Sequence, residues 1–471
     1  MKIVSITWNS YIPLLLKAGE ALGLDLKTYS SRTIEDKPEK LEEALKACEN
    51  ADIVLLYYTS GSFWDELGPR LEALKKNGEG PSPSVVCTGH DPYFWTLSSV
   101  DPEIAATSYL YFAYNGEENL RSLLNYLRYR VCGEGFLPAP PKELAWDGLF
   151  HPKTEKWFSD LDTYLDWYGP SPGKNVGILI SRTAWVNRDL RVESSLIREL
   201  ENRGLNVIPV FAYSLEDREL GTRAMGRVIE DYFMRDGKPI IDCLIKLTPF
   251  LIEGPQGAEK AQGGEKPGLL KTLDVPLLQP IVSSYMTVEE WESSAGLGND
   301  IAWYVAMPEF EGAIEPLIIG GGRQLEHYVE HVPIEERCAR LAARVLKLLK
   351  LREKPASEKK IAFILHNKPC ASVEGTVGCA SNLDSLESVA RILKRMKAGG
   401  YSLGREEASS RAEGYSVGRD KDSSLPPSVL PASGKELIDL ILERKAFSEF
   451  RWTSVEEIVR RGGALAFVGK E

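Results

Sequence analysis

His366 and Asn367 sit where a ligand-binding loop is expected. They follow a short, sharply bounded apolar run at residues 361–365, Ile-Ala-Phe-Ile-Leu, which predicts a buried strand. Gly375 and Gly378 come next. Asp384 or Ser385 can then cap a helix whose apolar positions, Val389, Ile392, Leu393 and Met396, recur at helical spacing. A strand, a glycine-bearing loop and a capped helix bring backbone N–H groups and polar side chains to the carboxyl end of a strand. Open α/β sheets take their ligands there. For His366, lining a cavity and anchoring the loop by bonding backbone carbonyls both fit. Asp384 and Ser385 read as caps before they read as bases, and Glu387 is spaced to close a capping box.

The other histidines are His90, His151, His327 and His331. His327 and His331 are four apart, which on a helix would put both imidazoles on one face as a metal pair. Pro333 and the preceding Gly320-Gly321-Gly322 argue against a continuous helix there, so a surface or interface pair is expected. His90-Asp91-Pro92 adjoins Tyr93, Phe94 and Trp95, a cluster able to stack a flat ring or to form a domain interface. Thr59-Ser60-Gly61-Ser62 resembles a phosphate-cradling turn without the glycine spacing or the lysine of a P-loop. Gly320-Gly321-Gly322-Arg323 reads as a tight loop. No Walker A motif occurs, so any ATP hydrolysis is expected to come from partners.

The elements that must position these residues alternate as βαβ units do. Strands are predicted at residues 2–8, 51–58 and 84–88, and helices at 11–22, 63–74, 105–114 and 119–130, the last two leaving room for a strand between them. Residues 146–168, holding Trp157, Phe158, Tyr164 and Trp167, read as a docked helix. A second α/β series follows, with strands at 176–181, 207–212, 240–246 and 275–279 and helices at 191–203 and 334–351. The expected fold class is α/β: several Rossmann-like or flavodoxin-like parallel-sheet units in series. The expected division is a flavodoxin-like domain at 1–132, a linker and docking helix at 133–174, a second α/β domain at 175–356 and the start of a third at 357–471. Two stretches, 254–267 and 402–428, are rich in glycine, serine and charge and are expected to be disordered insertions.

The formal charge is −11, from 57 Lys and Arg against 68 Asp and Glu, and no basic run offsets it, which disfavours nucleic acid as a partner. Seven scattered cysteines (Cys48, Cys87, Cys132, Cys243, Cys338, Cys370, Cys379) form no C-x-x-C pair and read as reduced thiols. The first residues carry no basic, apolar, cleavable leader, and no apolar run reaches membrane-spanning length. A soluble cytoplasmic protein is expected.

The motifs around His366 also carry a resemblance. Leu365-His366-Asn367-x-Pro369, Gly375-x-x-Gly378, Leu383-Asp384-Ser385-x-Glu387-Ser388 and a helix ending in Gly400-Tyr401 resemble the large subunit of cobaltochelatase and the porphyrin-binding large subunit of magnesium chelatase. Tyr111-Phe112-Ala113-Tyr114-Asn115-Gly116-Glu117-Glu118-Asn119-Leu120, Leu149-Phe150-His151-Pro152 and residues 161–168, 176–185, 203–211, 437–442 and 452–461 extend it over nearly the whole chain. The resemblance implies tetrapyrrole binding, with His366, Asn367, Gly375, Gly378 and Asp384 as candidate contacts. It implies a divalent metal as substrate, with the motif spelling leaning to cobalt for a corrinoid precursor in cobalamin biosynthesis. It implies AAA+ partner subunits that use ATP with magnesium. Because members of the family run further, it also implies catalytic residues downstream of this chain, a possible split-subunit partner, and no insertion by this chain alone. Magnesium insertion into protoporphyrin, a non-catalytic tetrapyrrole-binding or sensing module and, more weakly, a stand-alone small-molecule receptor are the alternatives.

Overall fold

The computed structural model describes residues 1–59, 61–76, 82–214, 216–249, 251–252, 268–325, 328–366, 377–378, 380, 382–403 and 430–444. The predicted insertion 254–267 lies outside these residues, as do most of 402–428 and the 452–461 motif. The chain divides into two compact units, Met1–Leu349 and Lys350–Glu471.

The first unit opens with four parallel strands, β1 Lys2–Thr7, β2 Asp25–Ser30, β3 Ile53–Tyr57 and β4 Ser84–Thr88, in the order β2-β1-β3-β4. The apolar runs of β1, β3 and β4 are buried on both faces, as a sheet covered by helices on each side requires. Ile3, Ile53, Leu55 and Val86 pack with Leu15, Leu120 and Leu124 of the helices Ile12–Ala21 and Glu117–Cys132. Val4, Ile6, Val54 and Leu56 face Leu41, Leu45 and Leu67 of the helices Pro38–Glu49 and Phe63–Lys76. The sequence expectation omitted the edge strand β2, whose residues Asp25-Leu26-Lys27-Thr28-Tyr29-Ser30 are mostly exposed or half-buried and carry no apolar run. No strand separates the helices Pro102–Tyr114 and Glu117–Cys132.

The second sheet contains β5 Asp147–Phe150, β6 Trp157–Phe158, β7 Asn175–Ser181 and β8 Asn206–Ala212. A small hairpin, β9 Met234–Arg235 and β10 Lys238–Pro239, precedes its last strands, β11 Cys243–Lys246 and β12 Leu277–Leu278. The order is β12-β11-β7-β8-β5-β6. Its parallel part, β8-β7-β11-β12, follows the chain order second, first, third, fourth, the same as β2-β1-β3-β4. The two sheets are therefore topological copies of one flavodoxin-like motif. Residues 146–168 are not one helix. The strands β5 and β6 extend the sheet edge antiparallel to β8, and only Leu161–Tyr168 is helical. Aromatic content misled the expectation, because Trp157 and Trp167 stay substantially exposed while Phe158 and Tyr164 are buried.

A third sheet, β13 Ile281–Thr287, β14 Ile318–Gln324 and β15 Val329–Pro333, pairs β13 with β14 in parallel and β14 with β15 antiparallel. Gly320-Gly321-Gly322 lies inside β14 and forms no loop. A Cβ on Gly320 would stand 2.8 Å from Val192, and one on Gly322 would stand 2.5 Å from Val329. The glycines let neighbouring elements approach the strand. The helix Glu335–Glu353 then returns to the second sheet, where Leu341, Val345 and Leu349 meet Leu196, Leu200 and Ile178.

In the second unit the helices Ser385–Ala398 and Gly434–Arg444 pack together. The predicted strand at 361–365 does not form. Ile361, Phe363 and Ile364 are 51%, 39% and 94% exposed, and no strand among the described residues pairs with them. An apolar run becomes a strand only when a neighbouring ladder takes its backbone groups.

Candidate functional site

In sheets of this topology the crevice lies outside the carboxyl ends of the strands, where the strand order reverses, here between β1 and β3 and between β7 and β11. The two sheets turn these ends toward each other. Asn187, beyond β7, donates to the Ser10 carbonyl beyond β1 at 2.7 Å and accepts from Asn115 Nδ2 at 2.9 Å. His90, beyond β4, lies 3.7 Å from Asp217, beyond β8. Asn9 bonds Val329 of β15 in both directions, at 2.8 and 3.0 Å.

The packed wall between the two sheets is aromatic. Tyr11, Tyr57 and Phe112 form a three-ring cluster with centroids 4.9–5.2 Å apart. Tyr213 meets Trp146 at 5.4 Å, and Tyr109 approaches His90 Nδ1 at 3.1 Å. Burial raises the Tyr11, Tyr57, Tyr109 and Tyr213 hydroxyls above the ordinary phenol range, so all four stay protonated and neutral at physiological pH. Such a wall offers flat ring faces and neutral hydroxyl donors.

Arg182, at the end of β7, is a buried cation at this junction. Its guanidinium donates to the carbonyls of Ala145 and Tyr114 at 2.8 Å and Leu144 at 3.3 Å, and lies 4.2 Å from the Trp146 ring centre. Burial holds its pKa down to about 10. At the end of the adjacent β11, fully buried Lys246 pairs with Glu311 at 2.8 Å. Sequence reasoning found neither residue. Each follows an apolar strand, which is a weak signal until the strand order shows which strands flank the reversal.

His366 closes a local turn through its backbone. Its carbonyl accepts from Gly378 N–H at 2.7 Å and closes the turn, with Gly378 at φ +67°. Asn367 and Gly375 lie outside the described residues. Asp384 caps the helix Ser385–Ala398 by accepting from Glu387 N–H at 2.9 Å. Glu387 does not close a capping box. Its carboxylate accepts instead from Gly434 N–H at 2.8 Å and Arg391 at 2.9 Å, tying the two helices of this unit, and these bonds hold its pKa low. The structure thus brings His366 and Gly378 together and gives Asp384 a capping role.

Around His90 the neighbouring rings are already engaged. Phe94 stacks on Tyr58, Trp95 donates to the Gly89 carbonyl at 2.9 Å, and Asp91 caps the turn at Tyr93. In the Thr59–Ser62 turn, the Glu35 carboxylate accepts from Ser62 N–H at 3.1 Å, Ser62 Oγ at 2.7 Å and Phe63 N–H at 3.2 Å. The protein's own carboxylate thus holds the position an anion would take. His327 lies outside the described residues. His331 is in a strand, with Nδ1 2.8 Å from Asp189. Among the described residues, no three His, Cys, Asp or Glu side chains converge as a metal-holding set. No described helix is long and apolar enough to cross a membrane.

A family model for CobN/magnesium chelatase matches residues 109–470. The chain belongs to the CobN/magnesium chelatase family. An uncharacterized protein of Methanocaldococcus jannaschii is 34% identical over 480 residues, covering 100% of this chain and 35% of its own length. The aerobic cobaltochelatase subunit CobN of Pseudomonas aeruginosa is 25% identical, covering 93% of this chain and 33% of its own. The chloroplastic magnesium-chelatase subunit ChlH of Oryza sativa is 29% identical, covering 54% and 18%. Among solved structures, the catalytic subunit of cobaltochelatase from Mycobacterium tuberculosis shares the fold, with a TM-score of 0.52 at 19% identity, covering 94% of this chain and 33% of that one. This member of the CobN/magnesium chelatase family spans about a third of the length of the full-coverage relatives.

Proposed function

We propose that the chain is a tetrapyrrole-binding part of an ATP-dependent metal chelatase, acting in metal insertion, with cobalt and a corrinoid precursor as the preferred pair. The observation that carries this reading is the family match over residues 109–470. The aromatic side chains gathered between the two sheet-reversal points support it, because a flat, largely apolar macrocycle needs ring faces to stack on. Cobalt is favoured over magnesium because the CobN relative aligns with 93% of the chain and the ChlH relative with 54%. His366, with Asn367, Gly375 and the Gly378 turn, is proposed separately as a tetrapyrrole-contact candidate of the second unit. The divisions 1–132, 133–174, 175–356 and 357–471 are proposed as its functional segments. ATP hydrolysis is assigned to AAA+ partner subunits, and metal insertion to the complex.

The test is to incubate the purified chain with a cobalt salt, magnesium-ATP and a metal-free corrinoid precursor, with and without AAA+ subunits, and to follow the absorption spectrum. The expected result is a spectral shift from binding without the spectrum of the metallated product. Metallated product from the chain alone would overturn the division of labour.

A further inference from the structure

Beside the third sheet, three large apolar side chains are held open to solvent around one cleft. Tyr285 is 42%, Ile301 49% and Trp303 41% exposed, and with Ala302 and Ala306 they line a cavity of about 600 Å3. Scattered exposed apolar residues need no explanation, but three converging on one concavity do.

The cleft is built rather than incidental. One wall, residues Ala302–Ala306, is a π-helical turn, a rare conformation that recurs at functional sites. The other wall is the end of β13. Fully buried Asp300 joins them, accepting from Ser283 Oγ and from Ser284 N–H, the latter at 3.2 Å. Buried Tyr304 of the π turn adds a hydroxyl contact to Ser284 at 3.1 Å. The polar groups of both walls thus bond one another beneath the cleft, and the apolar groups face outward. At the rim, Arg32, which follows β2, lays its guanidinium over the Tyr285 ring at 4.1 Å. The result is an open cleft of aromatic and aliphatic faces with a cation at one edge, complementary to a flat apolar ring that carries carboxylates.

We propose that this cleft seats an edge of the tetrapyrrole, with Tyr285, Ile301 and Trp303 against the ring and Arg32 beside a ring carboxylate. The assignment rests on the tetrapyrrole-binding reading and gives it a place. The test titrates the full chain with a metal-free porphyrin dicarboxylate, read by its Soret absorption, and compares Trp303→Ala, Ile301→Glu and Arg32→Ala. Phe310→Ala, which alters an exposed ring that does not line the cleft, is the control. Trp303→Ala and Ile301→Glu are expected to weaken binding at least tenfold with an unchanged melting temperature, and the control to bind as the parent does. Ile301 is half-exposed, so its substitution keeps the test meaningful if Trp303→Ala fails to fold. Arg32→Ala is expected to weaken the dicarboxylate more than its dimethyl ester. Equal binding by parent, Trp303→Ala and Ile301→Glu would overturn the cleft and leave the functional reading standing. Equal loss of acid and ester on Arg32→Ala would overturn the role given to the cation. No porphyrin or corrinoid binding by the parent chain would overturn both readings.

Discussion

Glu193 shows how a single buried carboxyl can set the pH response of the first unit. It lies on the helix Arg191–Glu201, buried against Asp189 and His331, and burial pushes it up to about 7 from the ordinary 4.5. The folded state therefore binds its proton more tightly between those values, and stability falls as pH rises through that window. His331 works in the same direction. Asp189 raises it above its ordinary value against the effect of burial, so its contribution is present at low pH and fades as pH rises through the folded value. Asp189 itself is held low by His331 and Arg191 despite its burial, and its contribution fades only in acid. Glu193→Gln is expected to flatten the decline in urea stability between pH 5 and 8. At about 1.4 kcal/mol per pKa unit, the gain at pH 8 is at most ~3.5 kcal/mol. An unchanged slope would show that Glu193 is solvated in the fold. None of this was legible in the sequence, where Glu193 is one acid among many on an amphipathic helix. Asp384 was legible, because its position before an apolar helical period names its role. Glu387 was not, since its partner Gly434 is 47 residues away and the capping-box spacing pointed elsewhere.

At the scale of elements, the motif at residues 111–120 works as a joint. Asn119 Nδ2 donates to the carbonyls of Asn115 at 2.7 Å and Lys142 at 2.8 Å, while its Oδ1 accepts from Lys142 N–H at 2.8 Å. Tyr111 donates to the Ala139 carbonyl at 2.6 Å. These bonds fix the proline-rich connector between the two sheets, which lacks regular structure of its own. Asn119→Ala would leave three backbone groups without their bonds, of which the Asn115 carbonyl is buried and costs ~1–3 kcal/mol where water cannot replace the bond. Limited proteolysis is expected to cut between residues 133 and 145 at least tenfold faster in this variant. Cleavage at the parent rate would show that Tyr111 and packing suffice to hold the connector. The strands buried on both faces were readable from sequence as continuous apolar runs. The edge elements were not: β2 is half-solvated, β5 and β6 were hidden by their aromatics, and the run at 361–365 reads as a strand yet has no described partner.

Over the whole molecule, two copies of one sheet order in the first unit set the carboxyl ends of their strands against each other. The opposed carboxyl ends gather Tyr11, Tyr57, Arg182 and Tyr213 between them, and Tyr285 and Trp303 line a separate cleft. The sequence announced a repeated α/β rhythm and the family, but strand order depends on contacts remote in the chain, so the meeting of the two reversal points could not be read from it. The central claim is that the first unit takes a tetrapyrrole in this crevice. Hydrogen–deuterium exchange of the full chain, with and without a saturating metal-free porphyrin, tests it most directly. The account predicts slowed exchange at residues 8–11, 57–59, 182–187, 281–287 and 301–306. Unchanged exchange in all five segments with porphyrin bound would contradict it.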